Sequence, residues 1–188
     1  LAGNYSVCQT TNRNADLAKA FFGDTTAGLF GYSHITGGYA GGQAEYLRTP
    51  FAATSLIKIP KTGADETYLF LSDILPTGWQ AAAFADIQPT DTVAIWGCGP
   101  VGLFSVLSAI LQGARRVIAI DDVPERLAMA RQLGAEVIDR SQAKVLPTLK
   151  EMTGGHGPEK CIDAVGIEAT SAERRVGKEC TSRWSPYH

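Results

Sequence analysis

Long apolar runs are missing from this chain of 188 residues. No stretch approaches the roughly 18 consecutive apolar residues that a membrane helix needs, so a membrane partner is not expected. Neither sign of charge is in excess: 17 Lys plus Arg stand against 19 Asp plus Glu, a net charge of −2. Nucleic acid and anionic surfaces select basic proteins, so neither is an expected partner. Cysteine is sparse. Cys8, Cys98, Cys161 and Cys180 are scattered along the chain, which excludes a dense disulfide framework and fits a reducing, cytoplasmic compartment. A charged-then-apolar leader is also lacking, but the chain opens at Leu1 rather than Met, so its first residues say little about targeting. What remains is 45% hydrophobic and 19% charged. That composition is globular rather than disordered, collagen-like or coiled-coil, and it can bury a core.

Two regions follow different patterns. Residues 1–66 are rich in glycine and β-forming types. Gly37-Gly-Tyr-Ala-Gly-Gly-Gln-Ala-Glu-Tyr-Leu-Arg48 is followed by Pro50-Phe51 and Ser55-Leu-Ile-Lys-Ile59. Gln43–Leu47 and Leu56–Ile59 read as short strands between turns, and the region reads as an all-β lobe. The glycine cluster is read as loop geometry rather than a ligand site.

Residues 67–170 alternate strand and helix. Strands are predicted at Thr92–Trp96, Arg116–Ile120, Glu136–Asp139 and Lys160–Val165. Helices are predicted at Val101–Gln112, Pro124–Leu133 and Ala143–Met152. Proline opens the second of these helices and Gly134 follows it, the usual helix asymmetry. The β-α-β order implies an α/β fold with a parallel sheet.

Within this alternation lies Gly97-Cys-Gly-Pro-Val-Gly102, spaced as G-x-G-x-x-G. The spacing alone is weak, but here it follows a strand and opens a helix. Gly97 permits the tight turn, Gly99 lets backbone approach a pyrophosphate, and Gly102 lets helix and strand pack closely. Pro100 and Val101 start the helix, whose N-terminal N–H groups and dipole favour phosphate. Asp121 closes the second strand, where a carboxylate can accept hydrogen bonds from an adenosine ribose and repel a 2′-phosphate. The reading is therefore NAD rather than NADP. Arg126 either flanks that ribose or is a solvated helix residue. A nucleotide-free sheet and an S-adenosylmethionine-binding methyltransferase are the alternatives.

Residues 171–188 have neither helical nor strand periodicity. Glu173-Arg-Arg-Val-Gly-Lys-Glu-Cys180 and Ser182-Arg-Trp-Ser-Pro-Tyr-His188 resemble the translation of a sequencing adapter, with Ala172 and Thr181 departing from it. The segment is read as a non-native tail and set apart from the fold; a native basic tail is the alternative. Without its four basic and two acidic residues the net charge is −4. Cys180 and Trp184 then carry no argument.

Taken together, four stretches resemble the medium-chain, zinc-dependent alcohol dehydrogenase family. They are Gly31–Tyr46, Leu69–Trp79, Gly97–Gly102 and Cys161–Gly166. The formaldehyde-dehydrogenase-like and threonine-dehydrogenase-like branch is the nearest in pattern. The resemblance implies a Rossmann-type parallel sheet, incomplete here, preceded by part of a GroES-like β-barrel domain. It implies a catalytic zinc, often a structural zinc, and hydride transfer between NAD and a small alcohol or aldehyde. It also implies a homo-oligomeric parent protein.

By the same resemblance Asp73 is a catalytic-zinc ligand where many relatives have cysteine, and Cys8 is the last of four structural-zinc cysteines. An aspartate oxygen is an acceptable ligand; a helix N-cap is the other reading of Asp73. Thr77 and Val101 correspond to residues packed around the nicotinamide, and Val165 to one near the cofactor. His34 and His156 match no catalytic position and are read as structural or solvent-facing. Cys98 and Cys161 are read as small buried residues.

The family's first two catalytic-zinc ligands, a Cys and a His-Glu pair, do not occur before Asp73. The expectation is thus a piece of a zinc dehydrogenase, truncated at both ends and inactive by itself, with an active full-length parent. A zinc-free NADP-dependent quinone reductase and a non-catalytic nucleotide-binding protein are the competing functions.

Overall fold

Thr92-Val-Ala-Ile-Trp96 is a short run dominated by β-formers with no polar alternation after Thr92, the pattern of a strand covered on both faces. In the computed structural model, which describes residue 8 and residues 10–165, it is strand β1, buried at every position. The remaining 171–188 segment, Cys180, Trp184 and Gly166 lie outside the described residues. The chain divides into two units, one through Pro60 and one from Lys61 onward.

The first unit holds helix α1 (Ala15–Phe22), closed by Gly23 in the left-handed region, and the short helix α2 (Ala52–Ser55). The strands expected at Gln43–Leu47 and Leu56–Ile59 are not formed. A strand exists by pairing its backbone groups, and both segments are solvent-facing: Tyr46 is 90% exposed and Ile57 91%. The only β pairing in this unit, among the described residues, is an isolated bridge between Phe30 and Tyr39. The glycine cluster is loop geometry, as read: Gly37 and Gly38 have positive φ, and their N–H groups donate to His34 and Ser33 carbonyls.

The second unit begins with a 3-10 stretch (Asp65–Ser72) leading into helix α3 (Ile74–Phe84). Then come β1 (Thr92–Trp96), α4 (Pro100–Leu111), β2 (Arg116–Asp121), α5 (Pro124–Gln132), β3 (Glu136–Asp139), α6 (Val145–Met152) and β4 (Lys160–Asp163). The four strands are parallel, in the order β3-β2-β1-β4. This is the predicted α/β sheet of Rossmann type.

Strand side chains alternate between two cores because successive residues point to opposite faces. Val93, Ile95, Val117, Ala119 and Ile162 meet Ala82, Val106, Ala109, Leu127 and Ala130 from α3, α4 and α5. Ala94, Trp96, Ile118, Ile120 and Ile138 meet Leu149 of α6 on the other side. Each fully buried Ile (Ile95, Ile118, Ile120) contributes about 1.5–3 kcal/mol. Helices α3 and α4 approach closely at Gly78, where an added Cβ would lie 2.8 Å from Phe104 and Ser105 backbone atoms. The order of β1 between β2 and β4 places the direction reversal of the winding at the C-terminal end of β1. Ligands of open α/β sheets bind in that crevice.

Candidate nucleotide-binding site

The turn leaving β1 is built by close approaches that only glycine satisfies. Gly97 has φ +86°, and an added Cβ would lie 3.1 Å from the Ala164 backbone and Val165 Cγ2. At Gly102 the Cβ would fall 1.8 Å from the Gly97 carbonyl oxygen. Helix α4 is therefore seated against the strand end. The Gly97 N–H donates to Ile120 O at 2.8 Å, and the Ala164 N–H donates to Trp96 O at 2.8 Å. Those bonds tie together the ends of β1, β2 and β4.

Gly99 is different. Its φ of −67° and ψ of −177° suit any residue, and a Cβ would meet nothing within 4 Å. The fold does not require glycine there, but the open space beside the backbone does suit a ligand. Gly99 is the N-cap of α4 and forms no side-chain cap, with Pro100 next. The N–H groups of the first helical turn have no partner within the helix.

Asp121 is only 6% exposed. Its Oδ2 accepts the Cys98 N–H at 2.6 Å, and its Oδ1 accepts the N–H groups of Asp122 and Val123 at 2.8 and 2.9 Å. Burial alone would raise its pKa. The three backbone donors and the charge of Arg126 outweigh burial and hold the carboxyl below its ordinary value. A carboxylate has about four acceptor sites, so three backbone bonds leave room for one more donor. Arg126 lies 3.9 Å from Asp121 Oδ2 with its side chain half exposed. It is thus both a pocket residue and a solvated one. Cys98 is buried, and burial followed by the Asp121 charge pushes its thiol up to about 12.

These residues surround a pocket of 240 Å³ lined by Trp96, Gly97, Gly99, Ile120, Asp121, Asp122, Arg126, Arg140, Ala164 and Val165. It gathers Gly97, Gly99, Asp121, Arg126 and Val165 from the sequence-predicted set. Pro100 lies on an adjoining apolar groove, and Val101 and Gly102 sit behind the turn in α4. Thr77 is exposed on α3 and does not line the pocket. The sequence reading missed Asp122 and Arg140, which both line the pocket and form a hydrogen-bonded ion pair. Arg140 follows the end of β3 as Asp121 closes β2, and that parallel was the available signal.

The zinc positions are less complete. Asp73 precedes α3, is exposed, and makes no side-chain capping bond; only its carbonyl accepts, from the Thr77 N–H at 2.8 Å. The N-cap alternative in its side-chain form is therefore not realised. Cys8 is half-buried, and N–H and hydroxyl groups of Thr11 and Thr10 hold its thiol below its ordinary value. Among the described residues no three His, Cys, Asp or Glu side chains lie together as a metal site. The described residues do not by themselves fit a complete zinc centre. His34 and His156 are both exposed.

A parallel sheet with a glycine turn, an open helix start and a buried acid at the next strand end defines an α/β chain of Rossmann type. Comparison with known proteins narrows the class. The zinc-binding dehydrogenase profile matches residues 100–174. A zinc-type alcohol dehydrogenase-like protein of Schizosaccharomyces pombe is 38% identical over 184 residues, 95% of this chain and 43% of the relative. A glutathione-independent formaldehyde dehydrogenase of Pseudomonas aeruginosa is 42% identical over 147 residues, 76% of this chain and 37% of the relative. The alcohol dehydrogenase of Thermus sp. ATN1 superposes with a TM-score of 0.73 at 36% identity, covering 81% of this chain and 44% of that one. Over most of its length the chain is thus similar to medium-chain, zinc-type alcohol dehydrogenases, of which it has the sequence and fold of a part. It spans under half the length of these relatives. No described helix is long and apolar enough to cross a membrane.

Proposed function

We propose that the Gly97–Gly102 turn and Asp121 hold NAD in an oxidoreductase that moves hydride between a small alcohol or aldehyde and the nicotinamide. The observation that carries this reading is Gly99: the backbone does not need glycine there, yet glycine leaves the approach to the α4 N-terminus open. Helix α4 offers the pyrophosphate its N–H groups and positive dipole end. Asp121, kept ionised by its backbone donors, accepts from the adenosine ribose. Its charge disfavours a 2′-phosphate, which supports NAD over NADP. Bound NAD would supply the hydride acceptor, and Val165, which lines the pocket, would supply apolar surface near it. Asp73 is proposed as one ligand of the catalytic zinc and Cys8 as one of the structural zinc, in a parent protein that supplies the others. The division at residues 66 and 67 into catalytic and NAD-binding parts, the cytoplasmic location and a homo-oligomeric parent belong to the same proposal.

Replacing Gly99 with Val tests it. NADH binding by this chain, followed by NMR titration, is expected to weaken at least tenfold while the fold is retained. Unchanged NADH affinity in Gly99→Val sinks the placement of the pyrophosphate. The 188-residue chain by itself is expected not to oxidise alcohols, since one zinc ligand does not make a site. Stoichiometric zinc with NADH production from an alcohol would overturn that expectation.

A further inference from the structure

Helices α4 and α5 each return from the end of a parallel strand, so their N-termini lie at the same end of the sheet. Between them runs a groove of 510 Å³, walled by Leu103, Phe104 and Leu107 of α4, Met129 and Leu133 of α5, and Phe70 of the 3-10 stretch. The sequence sets it. Val106 and Ala109 of α4, with Leu127 and Ala130 of α5, turn down into the core and are buried. Residues further round each helix are left along the gap between them. Leu103, Leu107 and Leu133 are half-buried there, and Met129 is exposed. Cys98 lines the groove as well, with a thiol that stays neutral because burial pushes it up to about 12. At the end beside the helix N-termini stand Gly99 and Arg126, which also line the nucleotide pocket. Among the described residues, Arg126 is the one charged member of the lining. It is half exposed and lies 3.9 Å from Asp121 Oδ2, beyond hydrogen-bond reach.

A nucleotide does not suit this groove. Apart from Arg126 its side chains carry no hydroxyl, amide or carboxylate, so ribose hydroxyls within it would lose their bonds to water without replacement. A hydrocarbon chain loses nothing there, and an anionic head at the open end meets the guanidinium. The rise of α4 from Gly99 to Leu107 is about 12 Å. An extended chain of roughly eight to ten carbons, with bonds of about 1.5 Å, has that reach. We infer that the groove is a binding site for a single-chain carboxylate of about that length, with its tail between α4 and α5 and its head on Arg126. The two ends contribute unequally. Each buried methylene is worth about fourfold in affinity, whereas a half-exposed ion pair is worth about fivefold at most. The tail therefore supplies most of the affinity, and the head fixes which way the chain lies. Gly99 and Arg126 belong to both sites, so the carboxylate and the nucleotide pyrophosphate exclude each other; this consequence alone rests on the nucleotide reading.

The chain has two methionines, and they stand on opposite sides of the sheet: Met129 lines the groove, and Met152 packs into the core around α6. Methyl NMR of the full 188-residue chain, titrated with octanoate, thus carries its own control. Octanoate is expected to shift the Met129 methyl and leave Met152 in place. Hexanoate is expected to bind about tenfold more weakly. Arg126→Gln is expected to weaken octanoate about fivefold and to leave 1-octanol unchanged. No shift of Met129 at millimolar octanoate overturns the inference. Equal shifts of both methionines, a detergent effect, or an equal loss of octanoate and octanol in Arg126→Gln also overturn it. A Met129 signal that moves with protein concentration and not with octanoate assigns the groove to a second copy of the chain, and the inference fails. Saturating NADH is expected to weaken octanoate at least tenfold. If NADH binds and the octanoate affinity does not change, the head is not on Arg126 and the inference fails while the nucleotide reading stands. If NADH does not bind, the nucleotide reading falls and the groove is decided by octanoate, octanol and Arg126→Gln.

Discussion

Replacing Gly102 with alanine is the sharpest test of how the β1–α4 turn is built. The new Cβ would sit 1.8 Å from Gly97 O and 2.8 Å from Gly97 C. Ordinary contact is about 3.4 Å or more, so backbone and helix must part by about 1.5 Å. Neither atom belongs to a flexible side chain that could move aside. Parting them strains the Gly97 N–H bond to Ile120 O and the adjacent Cys98 N–H bond to Asp121. Losing one neutral and one charge-assisted bond costs about 2–4 kcal/mol, and overpacking adds about 1–3 kcal/mol. Alanine returns only about 1 kcal/mol of helix propensity. The net expectation is a loss of at least about 2 kcal/mol, or a melting temperature lower by roughly 10 °C or more for a unit of this size. Gly99→Ala is the control, because its Cβ meets nothing within 4 Å; it should melt within about 2 °C of wild type. Thermal denaturation followed by far-ultraviolet circular dichroism reads both. If Gly102→Ala melts with the wild type, the close seating of α4 on the turn is wrong.

Asp121→Asn should destabilise the second unit by about 1–3 kcal/mol at neutral pH, because an amide group must face at least one backbone N–H with another donor. The folded pKa of Asp121 is depressed, so its contribution is complete above the unfolded value near 3.9 and is lost as pH falls through the lower folded value. The stabilities of wild type and Asp121→Asn should therefore converge in acid; a gap that stays constant from pH 7 to pH 2 would contradict the assignment. Cysteine reactivity offers an independent check. At pH 8, iodoacetamide should label Cys8 first and leave Cys98 unmodified until the chain unfolds, as its thiol is pushed up to about 12. Peptide mass mapping that finds Cys98 labelled as fast as Cys8 in the folded chain would refute its burial.

The second unit was legible because its signals are local. The strand Thr92–Trp96 is a short apolar run, and glycine or proline marks where α4 and α5 begin. The sequence placed β1 and β3 at the observed bounds and α4 and α5 within one residue of theirs. Gly97, Gly102 and Asp121 were legible for the same reason, since each acts within one β-α-β unit. In the first unit the β-forming types of Gln43–Leu47 and Leu56–Ile59 misled, because propensity cannot supply the neighbouring strand that a ladder needs. The Asp122–Arg140 pair went unread for a related reason, since the position of Arg140 after β3 was a signal but its partner was not. The two residues come together only because β2 and β3 lie side by side in register.

Binding at this end of the sheet has to be dissected with the turn in mind. Asp121 has two tasks in one carboxylate: it ties the β1–α4 turn to the start of the β2–α5 loop, and it is the proposed acceptor for the ribose. Any substitution there loosens the turn that presents Gly99, so a change in nucleotide preference and a loss of all nucleotide binding would arrive together. Arg126 carries charge next to the same site, but its half-exposed side chain stands 3.9 Å from Asp121, beyond hydrogen-bond reach. Binding that shifts with Arg126 at constant stability is therefore an electrostatic effect. Binding that shifts only with Asp121, alongside a lower melting temperature, reports the geometry of the turn.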